Sequence, residues 1–272
     1  MLRRPEGVAA SGDQAAALPS VSVVIPTCDR PDLLRRAVAS VRAQTLTPAE
    51  IIVVDDGGVA AAPSLVGPAV HVMKNDRARG ASGARNCGAA SARGSVLAFL
   101  DDDDAWAPTY LATAVAKLAA ERLDVVCTDL WYRYDDGREL PGKSAMETLV
   151  LDDFLVRNPG LVGSNLLIRA AAYRAVGGFN ESLVAATDMD FGVRLSLHAG
   201  IRYAPLRQRL VCHYQHDGPR LCMRHGTAMY AGIHRFYALH GHRMTAAQRE
   251  EFRARMQMLW GIDDLDRDLG AA

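Results

Sequence analysis

The most constraining stretch of the chain is Val96-Leu97-Ala98-Phe99-Leu100, which runs directly into Asp101-Asp102-Asp103-Asp104-Ala105-Trp106. A short unbroken apolar run reads as a strand buried on both faces. Adjacent carboxylates repel one another unless water or a strong positive charge faces them. Divalent cations such as Mg²⁺ or Mn²⁺ supply that charge and prefer oxygen ligands. Mg²⁺ usually takes one or two carboxylates and fills its other positions with water and substrate phosphate. A strand end carrying these acids is therefore a seat for a metal-bound diphosphate. A solvated acidic turn is the bland alternative, but the buried run before the acids and Trp106 and Pro108 after them fix the carboxylates in place.

The same pattern recurs upstream. Val21 to Ile25 is an apolar, β-branched strand ended by Pro26, and Ile51 to Val54 is a second, ending in Asp55-Asp56-Gly57-Gly58. Between them Leu33, Leu34, Ala37, Val38 and Val41 recur at helical spacing, with Pro31 suited to the first turn. A short strand at Val70 to Met73, a Gly- and Arg-rich loop and a helix around Ala84 to Ala92 lead back to the strand before the four acids. Strands alternating with helices predict a mostly parallel α/β sheet, in which ligands bind beyond the carboxyl ends of the strands. Asp55, Asp56 and Asp101 to Asp104 would meet on that edge.

Farther on, helices are predicted from Pro108 to about Arg122, from Glu147 to Val156, from Ala170, and over Asp188 to Leu197. Strands are predicted at Asp124 to Thr128, Leu130 to Tyr134, Asn165 to Ile168, Ile201 to Ala204 and Arg209 to Cys212. Beyond Pro219 the chain reads as helices over about 220–240 and 245–261. Residues 1–19 read as a flexible tail without the apolar core of a signal peptide. Residues 20–218 form the main domain, divided into a nucleotide-binding half (20–104) and an acceptor half (105–218), and 219–272 form a helical extension.

Composition narrows the function. Formal net charge is zero, so the chain carries no electrostatic footprint for nucleic acid or an anionic membrane. No apolar run approaches the length of a membrane span. The five cysteines are odd in number and include no Cys-x-x-Cys pair, which fits reduced thiols and a cytoplasmic location. Cys212-His213-x-x-His216 and Cys222-x-x-His225 offer zinc-ligand types, but neighbours within a strand point to opposite faces. The first strand end, Pro26-Thr27-Cys28-Asp29-Arg30, has no glycine, which argues against a phosphate loop and hence against nucleotidyltransferase or dinucleotide oxidoreductase chemistry.

The order of motifs is more specific than any one of them. Ser22 to Arg30, Ile51 to Gly57, Gly83-Ala-Arg-Asn-Cys-Gly88, Phe99 to Pro108, Gly177-Gly-Phe-Asn-Glu-Ser182 and Asp188-Met-Asp-Phe191 together resemble the family 2 glycosyltransferases. These are nucleotide-sugar enzymes of the GT-A fold, a Rossmann-like, mostly parallel sheet flanked by helices. The resemblance runs over residues 20 to 217.

The resemblance implies a set of roles. Pro26, Thr27, Cys28 and Arg30 would border the nucleotide, Asp56 would accept a hydrogen bond from the base, and Arg85 would lie near the base or diphosphate. Asp101 and Asp102 would stand near the ribose and metal, with Asp103 the principal ligand, Asp101 a second and His216 a further one from a mobile loop. Gly163, Ser164 and Asp190 would line the acceptor pocket. Asp188 would be the catalytic base, although Thr187 stands where the family carries Glu. That departure leaves an inactive nucleotide-sugar-binding module as the alternative. The expected activity is inverting, Mn²⁺- or Mg²⁺-dependent transfer of a sugar from a UDP- or dTDP-sugar to a hydroxyl or amine of a small metabolite or glycan.

Overall fold

A computed structural model of the chain describes residues 18–57, 70–215 and 226–265. Most of the tail expected at 1–19 lies outside the described residues, as do His216, Cys222, His225 and the boundary at 218–219. The first half alternates β1 (Val21–Thr27), α1 (Pro31–Arg42), β2 (Glu50–Asp55), β3 (Val70–Lys74), α2 (Ala81–Ser91) and β4 (Val96–Phe99). The second half continues with β5 (Asp104–Trp106), α3 (Tyr110–Ala120), β6 (Val125–Tyr134), β7 (Glu139–Pro141), α4 (Leu151–Val156), β8 (Leu166–Arg169), α5 (Ala170–Val176), α6 (Thr187–Leu197), β9 (Tyr203–Gln215), α7 (Thr227–His240) and α8 (Ala246–Trp260).

The strands form one sheet in the order β3-β2-β1-β4-β8-β6-β9-β5, with β7 paired to β6. β1, β2, β3 and β4 are mutually parallel, and β6 pairs with β9 in parallel. β8 is antiparallel to both β4 and β6, and β5 to β9. Every residue of β1 is buried, because helices cover both faces. Side-chain alternation divides its core residues: Val23 and Ile25 join Leu34 of α1 and Leu111 of α3 in one cluster. Val24 joins Cys87 of α2, Phe99, and Phe236 and Phe252 of the C-terminal helices in the other.

After β1 the chain crosses to β2 on one side, and β4 returns on the other side of β1. That reversal opens a crevice beyond the carboxyl ends of β1 and β4, the place where doubly wound sheets bind ligands. Register aligns the ends: Thr27 stands beside Asp55, and the Leu100 N–H donates to Val24 O at 3.0 Å.

Two pairs of predicted strands turn out to be single long ones. β6 runs unbroken through Asp129, absorbing an irregularity there against β9. β9 likewise runs through the polar stretch Arg207 to Arg209. In both cases the pairing across the sheet overrides a local break in hydrophobicity. β5 is absent from the sequence reading, since a three-residue strand opening on an aspartate carries no alternation to detect.

Candidate active site

The four consecutive aspartates leave β4 in different directions. Asp102 turns inward and is fully buried. Thr27 Oγ1 donates to its Oδ2 at 2.7 Å, and the Arg30 guanidinium grips both of its oxygens. Burial outweighs the pull of Arg30 and Thr27 and pushes its pKa up to about 7. Asp104 opens β5 opposite His213 and is also buried. Its Oδ2 accepts from Ser164 Oγ at 2.5 Å, and His213 Nδ1 lies 2.9 Å from its Oδ1. Burial disfavours charge on His213, but Asp104, with Asp103 and Asp101 behind it, raises its pKa to about 9.

Asp101 and Asp103 are half-buried and flank the mouth of the crevice. One oxygen each from Asp101, Asp103 and Asp104 lies within 4.8 Å of the others. This hard, all-carboxylate donor set suits Mg²⁺ or Mn²⁺. Asp104 Oδ1 is buried and ion-paired with His213, so a cation at this cluster would compete with the imidazolium for it. Two guanidinium groups supply counter-charge. Arg30 Nη1 lies 3.1 Å from Asp103 Oδ2, and Arg85 Nη2 lies 2.5 Å from Asp101 Oδ1.

Arg85 is almost wholly buried, its guanidinium 4.9 Å from the centre of the Phe179 ring. A Cβ on Gly163 would sit 2.6 Å from Arg85 Nη2, so a side chain there would push the guanidinium from its place beside Asp101. Burial disfavours its charge, yet Asp101 and Asp188 together raise its pKa.

Asp188 lies in the first turn of α6, where the helix dipole favours an anion. Its Oδ1 is buried without a hydrogen-bond partner. Burial raises its pKa to about 6 against the pull of Arg85, with Asp101 adding to the rise and Lys143 and His213 opposing it. A carboxylate with a free buried oxygen and a pKa near neutrality, beside a metal-type acid cluster, has the properties of a general base.

The glycosyl transferase family 2 profile matches residues 22–177, more than half of the chain. The chain belongs to glycosyl transferase family 2. Among curated members it is 35% identical over 164 residues to the succinoglycan biosynthesis protein ExoO of Rhizobium meliloti, covering 56% of this chain and 44% of that protein. It is 25% identical over 245 residues to the protein named putative colanic acid biosynthesis glycosyl transferase WcaA of Escherichia coli, covering 85% of each. The chain thus spans less than half of ExoO and most of WcaA. Its fold matches that of S. aureus TarS 1-349 solved with UDP-GlcNAc, with a TM-score of 0.66 at 18% identity over 92% of this chain and 76% of that one. The GT-A architecture of family 2 is therefore the architecture of this chain.

Within this family 2 chain, the structure gathers some of the expected residues and relocates others. Asp56 is half-exposed at the end of β2; its oxygens accept from Asn75 Nδ2 at 2.6 Å and Gly80 N at 2.8 Å. Each oxygen retains a second lone pair for a base. Asp55 holds the turn, accepting from Gly57 N and pairing with Lys74. Pro26 and Thr27 are buried strand residues, and Cys28, half-buried, borders the crevice. Asp102 is corrected from a donor-facing to an inward residue, because Thr27 and Arg30 occupy its carboxylate.

The acceptor expectations also move. Ser164 is fully buried and ties Asp101 N to Asp104, so it shapes the acid turn from beneath. Gly163 makes room for Arg85. Asp190 is buried and held by Arg194 and His240, so it presents no free oxygen to an acceptor. Sequence reasoning missed His213 as a partner of Asp104, because β5 and its register with β9 were not visible. It also missed Asn86, which accepts from Phe179 N and Tyr173 Oη and donates to Phe179 O and Glu181. The signal for Asn86 was present: it lies in the quoted Gly83 to Gly88 motif, and two of its three partners, Phe179 and Glu181, lie in Gly177 to Ser182.

Proposed function

We propose that this chain transfers a sugar from a nucleoside-diphosphate sugar, with a UDP-sugar as donor, to a hydroxyl or amine of a glycan or small metabolite, with inversion. The observation that carries this reading is Asp188: a half-buried residue whose Oδ1 is buried and unpartnered, with a pKa of about 6 raised in part by Asp101. Membership of the family supports the reaction class, and the UDP-GlcNAc bound by the TarS structure supports the donor class.

In this reading Asp56, just beyond β2, would read the base, and Cys28 and Arg30, just beyond β1, would border the nucleotide. Asp101 and Asp103, with Asp104 beneath, would hold Mg²⁺ or Mn²⁺ against the diphosphate. A bound cation there supplies Lewis-acid neutralisation of the charge on the departing diphosphate. As the acceptor oxygen or nitrogen bonds to the anomeric carbon, the bond from that carbon to the diphosphate breaks. Asp188 takes the acceptor proton. One base suffices, unlike the acid–base pair of glycoside hydrolases, since the leaving group departs as a stabilised anion. Thr187 in place of the family Glu leaves this base intact. Free thiols at Cys28, Cys87, Cys127 and Cys212 suit a cytoplasmic setting, and among the described residues no helix is long and apolar enough to cross a membrane.

The test is a panel of UDP-, dTDP- and GDP-sugars with and without Mn²⁺, read by thermal shift and by release of nucleoside diphosphate with water as acceptor. Metal-dependent binding and slow release from a UDP-sugar, abolished in Asp188→Asn, is the expected result. Tight binding with no release by the wild-type protein favours the inactive module instead, and failure to bind any of them overturns both.

A further inference from the structure

The unpartnered Oδ1 of Asp188 raises a question of positioning. No hydrogen bond fixes that oxygen, so its place depends on where the first turn of α6 sits. The turn is entered through Ala186, which has a φ of 58° and a ψ of 20°, a left-handed conformation costly for a residue with a Cβ. Something must hold it there, and α7 supplies a contact on each side of it.

At Gly232 the α7 backbone lies directly on Ala185. A Cβ added at Gly232 would stand 2.6 Å from Ala185 Cβ and 2.7 Å from Ala185 N. Two turns farther along α7, His240 Nε2 lies 2.9 Å from Asp190 Oδ1, and both residues are buried. Asp190 is held below the usual carboxylate range: His240 and Arg194 outweigh burial. It is therefore ionised and accepts only, so Nε2 carries the proton. Asp190 Oδ2 accepts from Arg194 Nε at 2.8 Å, and Arg194 Nη1 donates to Val176 O at 2.9 Å and Gly178 O at 2.5 Å. The Asp190 N–H in turn donates to Ala186 O at 3.1 Å. Thus α7 grips the left-handed entry from both sides, through Ala185 before it and Asp190 after it.

We propose that α7 positions the catalytic aspartate, with Gly232 and His240 as positioning residues that set where Asp188 meets the acceptor. The proposal rests on the reading of Asp188 as the base. It gives the segment beyond the profile match a direct part in the reaction. It also explains why Asp190, two residues from the base, points away from the crevice.

The test uses the full chain, with UDP-GlcNAc and UDP-glucose as probes, Mn²⁺ present, and released UDP as the readout. Gly232→Ala forces the loop aside by its added methyl, and His240→Leu removes the α7 hydrogen bond to Asp190 while Arg194 keeps its own. Each is expected to lower kcat by about tenfold to a hundredfold, since an ångström of misplacement suffices for that. UDP affinity should stay within about twofold and melting should remain cooperative, because α7 leaves the nucleotide crevice untouched. His240→Gln, which keeps an N–H for Asp190, should recover most of kcat. Wild-type kcat in either Gly232→Ala or His240→Leu overturns the proposal. So does a fall in kcat accompanied by loss of UDP affinity or of cooperative melting, which marks a merely structural role. If the wild-type chain itself releases no UDP, the reading of Asp188 falls first; with wild type active, the variants judge α7 alone.

Discussion

Asp188→Asn is the substitution that separates catalysis from stability most cleanly. Asparagine has the same shape, so it opens no cavity, but it cannot take the acceptor proton. General-base assistance is worth ~10²–10⁴-fold in rate, or roughly 3–5 kcal/mol of barrier. Stability should move the opposite way. Burial raises the Asp188 pKa to about 6 from an ordinary 3.8, a difference that costs about 3 kcal/mol when the group is ionised. The folded state holds this proton more tightly than the unfolded chain does. Wild-type stability therefore falls as pH rises through that interval, and the loss is complete above about 6. Asparagine avoids the penalty but still leaves a buried oxygen unpaired, at roughly 1–3 kcal/mol, as the aspartate already does. The variant should thus melt higher than wild type at pH 7.5 by an amount equivalent to ~1–3 kcal/mol and converge with it near pH 4. The assay is urea unfolding at both pH values beside UDP release from a UDP-sugar. Near-normal turnover refutes the base assignment, and a variant less stable than wild type at pH 7.5 refutes the account of the buried charge.

Three further outcomes follow from the same geometry. The acid limb of kcat should have unit slope with a midpoint at or below about 6, because Asp188 works as the carboxylate and a cation on the neighbouring aspartates only lowers its pKa; a midpoint above 7 contradicts it. Asp103→Ala should abolish the Mn²⁺-dependent part of UDP affinity measured by titration calorimetry while leaving the metal-free part in place; equal affinities with and without the side chain would count against the cation site. Asn86→Ala should destabilise by about 3 kcal/mol, since Phe179 N, Phe179 O and the Tyr173 hydroxyl lose their partner in a buried setting, and a melting curve like that of wild type would show that water replaces the amide.

Much of this protein is legible in its sequence wherever the signal is local. β1, β2 and β4 are continuous apolar runs because both of their faces are covered, and their acidic ends are written directly after them. That is enough to place Asp56, Asp101 and Asp103 on one edge. Asp188 is readable only as a member of an ordered set of motifs, since an acid in the first turn of a helix is ordinary in isolation. The direction in which each aspartate of 101–104 points is not readable at all. Neighbouring residues of one type become an inward anchor at Asp102, a half-buried pair at Asp101 and Asp103, and the partner of His213 at Asp104.

What decides those differences is contact between residues far apart in the chain. Asp102 is claimed by Thr27 and Arg30, more than seventy positions away, and Asp104 by His213, more than a hundred away. Ser164 and Asp190 carry polar side chains that suit an acceptor pocket in sequence, yet packing buries both and spends their hydrogen bonds inside. The sequence by itself determined the alternation of strands and helices and the ligand-binding edge, because these follow from periodicity and from charge placed at strand ends, while the class of chemistry came from the resemblance of its ordered motifs to a known family. Only the tertiary structure decided which carboxylates face the crevice and how Asp188 is held, because burial and partner choice depend on strands and helices that meet only once the chain has folded.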